Sequence, residues 1–402
     1  MTMPAMTRAV RTVLFSTLFP SAARPMHGIF VETRLRELLK TGQVETRVVA
    51  PVPWFPFTGS RWGDYGRMAR TPHVEQRNGL QVLHPRYALP PKVGMTAAPL
   101  LLAQGAIGAL RRLRAEGFDF DLIDAHYYYP DGVAAALLGA YFKKPVVVTA
   151  RGTDINLIAS YPWPRRMLCW AGARVSASIG VSAALVERMR GLAFNPATLH
   201  VMRNGVDLDR FQPLDPVAMR QALGIGTAPV LLTVGNLQPH KGQRLVIDAL
   251  AALRRRHADA VALVVGEGPD LPALQAQATA LGLSDAVRFV GVVPNQELSR
   301  WYSAADVLVL ASSREGWPNV LLEAMACGTP VVASDVGGVR EIVHNVVAGR
   351  VVSQPDGQSL ADALVDVLRI RHDRSAVRAY AQQFSWERTS QDQLALFRSL
   401  VA

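Results

Sequence analysis

The chain has 402 residues, half of them hydrophobic and 19% charged, which is too long for one ordinary core and suits two packed domains. Its formal charge is +11, and the excess lies wholly in the first half: residues 1–200 hold 24 Lys and Arg against 12 Asp and Glu, whereas residues 201–402 hold 19 against 20. The lack of any run of eighteen uninterrupted apolar residues argues against a transmembrane helix, and two cysteines far apart in sequence, Cys169 and Cys327, both in stretches that read as buried helices, argue against a disulfide framework or metal cluster.

The N-terminal MTMPAMTRAVRTVLFSTLFP is basic and then apolar, but Ser16, Thr17 and Pro20 interrupt the apolar part, so it reads as a first strand rather than a signal peptide. Strands follow at RTVLFS, TRVVAP, LQVLHP, FDLIDAH, PVVVTA and ASIGVS, with helices near residues 28–40, 95–115, 131–142 and 182–190. Residues 200–213, HVMRNGVDLDRFQP, are turn-rich around an Asn-Gly pair and mark a junction, where the charge imbalance also ends. Beyond it come APVLLTVG, AVALVVGEG, AVRFVG, ADVLVLAS, TPVVASD and GRVVS, again with helical patterns between them. Short β-branched runs alternating with helices indicate α/β layering on parallel sheets, in two successive domains. No short-period repeat or low-complexity segment is present.

Ligands of open parallel sheets bind beyond the carboxyl ends of the strands, so the loops there are the places to search. After the first strand, PSAARPMHGIFVETRLREL puts Gly28 at a helix start, where close backbone approach or a plain turn would each require it. DAHYYYPDGVAAA puts His126 at a strand's carboxyl end, and TARGTDIN clusters Arg151, Thr153 and Asp154, in which Arg and Asp could simply pair. In VLLTVGNLQPHKGQRLVIDAL a strand runs through Gly235 to Lys241 and Gly242 and then into an amphipathic helix, a ready phosphate site that lacks the spacing of a P-loop.

REGWPNVLLEAMACGTP is the most informative segment. Pro318 and Gly328 bracket a short helix, Asn319 to Cys327, apolar on nearly every side, with Glu323 in its middle and Glu315 eight residues earlier. A carboxylate in apolar surroundings requires a cation, hydrogen-bond donors or a ligand.

Together these segments resemble the retaining glycosyltransferases of family 4 (glycosyl transferases group 1). The resemblance extends through RNGVDLDRF and VGEGP to the terminal FSWERTSQDQLALFRSL, nearly the whole chain, and the Glu-x7-Glu element is its most specific part. It implies the GT-B architecture, α/β with two facing Rossmann-like domains: residues 1–202 binding acceptor, residues 203–382 binding the nucleotide sugar, and a C-terminal helix, 383–402, returning to the first. It also implies a metal-independent hexosyltransferase without cofactor, whose donor is a nucleotide-diphosphate sugar and whose acceptor is a saccharide or lipid-linked saccharide of polysaccharide or glycolipid biosynthesis. The implied catalytic residues are His126, Lys241 and Glu315. Glu323 would take the ribose hydroxyls, Lys241 the diphosphate, and Gly235, Asn236, Gly316, Asn319 and Gly28 would complete the donor site. His27, Arg151 and Asp154 are the acceptor-side candidates. Anomeric configuration is retained by front-face displacement, the leaving phosphate helping to deprotonate the acceptor. Family members often carry an Arg where this chain has Asn236, and Arg151 or Arg340 could compensate for it.

Two Asp-x-Asp strings, Asp119 with Asp121 and Asp207 with Asp209, sit before a buried strand and in the junction, and neither is placed as a metal clamp. In the basic half, PVPWFPFTGSRWGDYGRMAR mixes five aromatics with three arginines, and the apolar helix after it ends in Arg111, Arg112 and Arg114. That suits a peripheral seat on anionic lipid, so the expected location is cytoplasmic, with the inner face of the plasma membrane as a candidate surface. Two other readings compete: a nucleotide-sugar 2-epimerase of similar architecture, and, from the calculated pI of about 10.1, a nucleic-acid-binding protein, for which no motif is present.

Overall fold

In the computed structural model, which describes residues 8–89, 94–370 and 372–401, the chain divides into two units. The first comprises Met1–Arg203 and Glu387–Ala402, the second Asn204–Trp386. The crossing at Asn204 falls inside the turn-rich junction, and the return begins at Glu387, four residues later than the 383 expected from sequence.

The first unit contains β1 (Val10–Phe15), β2 (Val44–Val49), β3 (Val52–Pro53), β4 (Val74–Arg77), β5 (Leu80–Leu83), β6 (Arg86–Tyr87), β7 (Leu122–His126), β8 (Val146–Ala150), β9 (Ala177–Gly180) and β10 (Leu199–Val201). Eight of them form one sheet in the order β10-β9-β8-β7-β1-β2-β5-β4, while β3 and β6 pair separately. Strands β7, β8 and β9 are buried along their whole length, because helices cover both faces of a parallel sheet, and this is why they read as unbroken apolar runs. Strand β4 escaped the sequence reading. It is the polar edge VEQR, antiparallel to β5 across an Asn78-Gly79 turn in which both residues have positive φ (48° and 80°), the backbone of a tight hairpin. The helix Pro162–Gly172 carries Cys169, in keeping with the helical reading of that stretch.

The helix Trp386–Val401 brings Leu394, Leu396 and Phe397 into a core with Val10, Leu38, Val44 and Leu122. Buried polar groups fix its register. The Nε of Arg34, on the helix Ile29–Leu39, donates to Gln393 Oε1 (2.8 Å), its Nη1 donates to Met202 O (3.1 Å), and Gln393 Nε2 donates to Asp124 Oδ2 (3.1 Å).

The second unit is a six-stranded parallel sheet of β11 (Val230–Val234), β12 (Val261–Val265), β13 (Val287–Gly291), β14 (Val307–Leu310), β15 (Val331–Ser334) and β16 (Gly349–Val352), ordered β13-β12-β11-β14-β15-β16. Its main core lies between the sheet and the helices Gln243–Leu253 and Gly357–Ile370, around Val246, Leu250, Val309 and Leu364. Chain direction across the sheet reverses between β11 and β14, as it does between β1 and β7 in the first unit. At such a switch point adjacent loops part and leave a crevice at the strands' carboxyl ends.

The C-terminal helix belongs to the first unit's core, so Phe397→Ala should destabilise that unit by about 3–5 kcal/mol. The effect is read as an earlier denaturant midpoint for its unfolding, and an unchanged midpoint would mean that the helix is not part of that core.

Candidate active site

In the second unit the switch point is formed by the loop after β11 and the loop after β14. Gly242 lets them meet: it has φ +70°, and a Cβ there would lie 2.0 Å from Ala311 O, a contact no side chain could accommodate. The one-turn helix Pro239–Lys241 therefore packs on the opposite loop, where Ser313 N donates to His240 O (2.8 Å). Lys241 Nζ donates to Glu315 Oε1 (2.8 Å), which also accepts from Ser312 Oγ (2.7 Å). Gly235 has φ +148° and open space where its Cβ would be. Asn236 is exposed, and its carbonyl accepts from Gln243 Nε2 (3.2 Å). Gly316 is buried, and its carbonyl accepts from Gly338 N (3.2 Å).

The following helix spans Asn319–Ala326, with Pro318 as its N-cap and Cys327 as its C-cap. Gly328 closes it at φ +79°, the left-handed residue expected just past a helix end. Asn319 Oδ1 accepts from Asn204 Nδ2 (3.3 Å). Glu323 has a partner that the sequence did not indicate: the buried Tyr302 hydroxyl donates to its Oε2 (2.7 Å). Desolvation raises the Glu323 carboxyl to about 7, against the opposing effects of the Tyr302 hydrogen bond and the charge of Arg210. Oε1 has no hydrogen-bond partner among the described residues, so it can accept from a hydroxyl that enters the site.

In the first unit, Gly28 has φ +71°, and a Cβ would stand 2.3 Å from Leu18 O, so the turn alone is enough to demand glycine. His27 Nε2 donates to Thr17 O (3.2 Å), and burial followed by the charge of Arg24 lowers its pKa to about 4. Asp131 holds the same loop through Thr17 N (2.8 Å) and Thr17 Oγ1 (2.9 Å). His126 is 1% exposed. Asp124 precedes it by two residues on β7 and thus shares its face of the sheet. The two residues stand Nε2 to Oδ2 at 3.4 Å, while Nδ1 accepts from Arg151 Nη2 (2.6 Å). Burial, the largest cause, lowers the His126 pKa to about 4. The imidazole is therefore neutral at pH 7, with its proton on Nε2.

Arg151 and Asp154 do not pair through their side chains. The Asp154 carboxylate turns inward and accepts from the backbone N–H groups of Tyr128 (2.7 Å), Arg151 (3.1 Å), Gly152 (2.8 Å) and Ile155 (3.2 Å). Its acceptor capacity is thus taken up by the loop, and in this structure it shapes that loop instead of pointing to an acceptor. Three of the four aspartates of the Asp-x-Asp strings are similarly engaged, Asp119 with Arg114 and Lys144, Asp121 with Arg8, and Asp207 with Arg210, and Asp209 is exposed. Cys169 is only partly buried, contrary to its sequence reading, and Cys327 is buried just past its helix.

Comparison with known proteins places these loops in context. The family described as Glycosyl transferases group 1 matches residues 218–384, and Glycosyltransferase Family 4 matches residues 68–210. A D-inositol 3-phosphate glycosyltransferase of Kribbella flavida is 39% identical over 71% of this chain and 73% of its own. D-inositol 3-phosphate glycosyltransferase 1 of Catenulispora acidiphila is 30% identical over 97% and 96%. The crystal structure of Anabaena HepE in complex with UDP and glucose superposes with a TM-score of 0.72 at 23% identity, covering 98% of this chain and 100% of that one.

The raised Glu323 carboxyl predicts a pH effect of definite sign. Below its ordinary value of 4.5 the group is protonated folded and unfolded alike. Between 4.5 and about 7 the unfolded chain ionises first, and stability falls. Glu323→Gln should therefore melt higher than wild type at about pH 8, with the gap narrowing as pH falls through that window. A pH-independent gap between the two melting curves would contradict the buried-carboxyl assignment.

Proposed function

Since the chain belongs to family 4 of the glycosyltransferases, within glycosyl transferases group 1, and is a glycosyltransferase of the GT-B fold, we propose that its second unit holds a nucleotide-diphosphate sugar and its first unit binds the acceptor. The observation that carries this reading is the meeting of Lys241 and Glu315 at the switch point of the second sheet, just ahead of the short helix that carries Glu323, a carboxylate with an oxygen to offer. Glu323 Oε1 would accept from the ribose hydroxyls, a charge-assisted bond that offsets the burial of the carboxylate. Lys241 has three ammonium donors, and Glu315 engages one. The others can meet the diphosphate and stabilise the negative charge that grows there as the glycosidic bond breaks. Glu315 would border the donor sugar. His126, held neutral with its two ring nitrogens facing Asp124 and Arg151, would keep the strand end in shape and not act as a proton carrier, leaving acceptor deprotonation to the departing phosphate. Transfer with retention and without metal is part of the proposal. The two relatives described are named as transferases, which leaves the epimerase reading without support.

The acceptor reading rests on charge. Two relatives are named for D-inositol 3-phosphate, and the first unit carries the basic excess, so an anionic acceptor, phosphorylated or lipid-linked, fits it best. A membrane seat is part of this reading. Trp54, Phe57, Trp62 and Tyr65 are 61%, 48%, 39% and 47% exposed, and the rings of Phe57 and Trp62 stack at 5.1 Å with the Arg61 guanidinium 5.3 Å from Trp62. Amphipathic rings among arginines suit the headgroup region. No helix among the described residues is long and apolar enough to cross a membrane.

Lys241→Ala should lower turnover about a hundredfold or more, the usual result of removing one transition-state contact, and activity should survive a chelator. Wild-type turnover in the variant would sink the diphosphate role, and a strict divalent-ion requirement would sink the metal-free one. The protein should also sediment with vesicles of anionic lipid and release as salt rises. Trp54→Ala combined with Phe57→Ala should weaken that binding while sparing transfer to a soluble acceptor. If the wild type ignores anionic vesicles at low salt, the membrane seat is wrong and the basic charge serves an anionic acceptor alone.

A further inference from the structure

Resting on the donor-site reading above, we infer that Arg314 is the second cation of the diphosphate subsite, supplying the fixed charge that Asn236 does not. Lys241 alone is a weak anion site in the free protein. Its ammonium lies 2.8 Å from Glu315 Oε1, so most of its charge is offset before any ligand arrives. His240, in the same one-turn helix, adds none: burial, then the charges of Arg314 and Lys241, lower its pKa, with Glu315 opposing. Asn236 is uncharged and exposed. A leaving nucleoside diphosphate, whose charge grows as it departs, requires more positive potential than this.

Arg314 stands where that potential is missing. It precedes Glu315 in the loop after β14, and Ser313, its other neighbour, is hydrogen-bonded through its N–H to His240 O at 2.8 Å. Residue 314 is thereby held against the turn that carries Lys241, within electrostatic reach of the His240 ring. The Arg314 Nε is buried, and among the described residues it has no hydrogen-bond partner. Native structures seldom leave a buried donor unmet, and an absent ligand is one of the few physical reasons for it. A guanidinium fork matches phosphate oxygens in geometry as well as charge. The helix Gln243–Leu253 starts at the same turn with no side-chain cap, so its first backbone N–H groups point to the same place.

Neither of the other arginines considered can take this part. Arg340 is paired with Asp335 at 2.6 Å and donates to Ser353 Oγ at 3.1 Å. Arg151, in the first unit, donates to His126 Nδ1 at 2.6 Å.

The test titrates UDP, GDP and ADP, each beside its own nucleoside, into wild type and Arg314→Gln. Whichever diphosphate the wild type binds should bind the variant about tenfold or more weakly, with its nucleoside changed less than about twofold. Adding Asn236→Arg to Arg314→Gln should recover most of the loss, which a merely structural role for Arg314 would not allow. Wild-type diphosphate affinity in Arg314→Gln, or a nucleoside loss as large as the diphosphate loss, overturns the inference and leaves the donor site standing. A wild type that binds none of the three diphosphates overturns the donor site and this inference with it. If Arg314→Gln fails to fold, Arg314→Lys decides: retained charge should keep diphosphate affinity within about threefold, and a loss of about tenfold rejects the role.

Discussion

An ammonium and a carboxylate 2.8 Å apart, Lys241 and Glu315, join the loop after β11 to the loop after β14, and much of the second unit's site depends on that pairing. These strands are neighbours at the point where chain direction across the sheet reverses, so their following helices diverge and the loops would part if nothing bridged them. Both side chains are largely withdrawn from water, at 27% and 10% exposure. Removing either would strand a poorly solvated charge, whereas keeping both leaves donors and acceptors directed into the crevice. Gly242 is the steric condition for this arrangement, since any side chain there would push the two loops apart.

The first unit answers a similar demand with different groups. His126 lies too deep to hold a proton at neutral pH, and its two ring nitrogens face Asp124 on one side and Arg151 on the other. Asp124 also accepts from Gln393, which in turn accepts from Arg34. The end of the chain thus supports the strand end where His126 sits. A charged imidazolium would be a third cation beside Arg34 and Arg151, with Asp124 the carboxylate that faces the ring, so the neutral form lowers the cost of keeping the ring buried.

The charge asymmetry between halves acts mostly at the surface. Among the half-buried arginines of the first unit, Arg77 meets Glu32 at 3.0 Å. At the end of the helix Gly94–Ala115, Arg112 meets Glu116 at 2.7 Å and Arg114 meets Asp119 at 3.1 Å. Arg61, Arg67 and Arg70 are all exposed among the aromatic residues around them, with Asp64 the one acid in that segment. Steering of an anionic partner would come from charges of this kind.

Much of this protein was legible in its sequence because parallel sheets leave a local signature. Strands buried on both faces must be short apolar runs, so twelve segments from RTVLFS to GRVVS could be recognised one by one, and the junction showed in both turn chemistry and charge. The same logic exposed Glu323, since a carboxylate in an apolar helix breaks its surroundings, and located Lys241 and His126 at strand ends. The edge strand β4 was missed because its polar VEQR needs no apolar pattern at the margin of a sheet. Tyr302, which hydrogen-bonds Glu323, lies in another helix, and no local rule connects residues 21 apart. Asp154 looked like an acceptor-side group because residue type says nothing of direction, and only the folded loop shows four backbone N–H donors converging on it. Residue type and spacing determined which side chains needed a partner. Which partner each received was decided by tertiary structure, because hydrogen bonds and ion pairs form between atoms that the fold, and not the order of the chain, brings within 3 Å or so of each other.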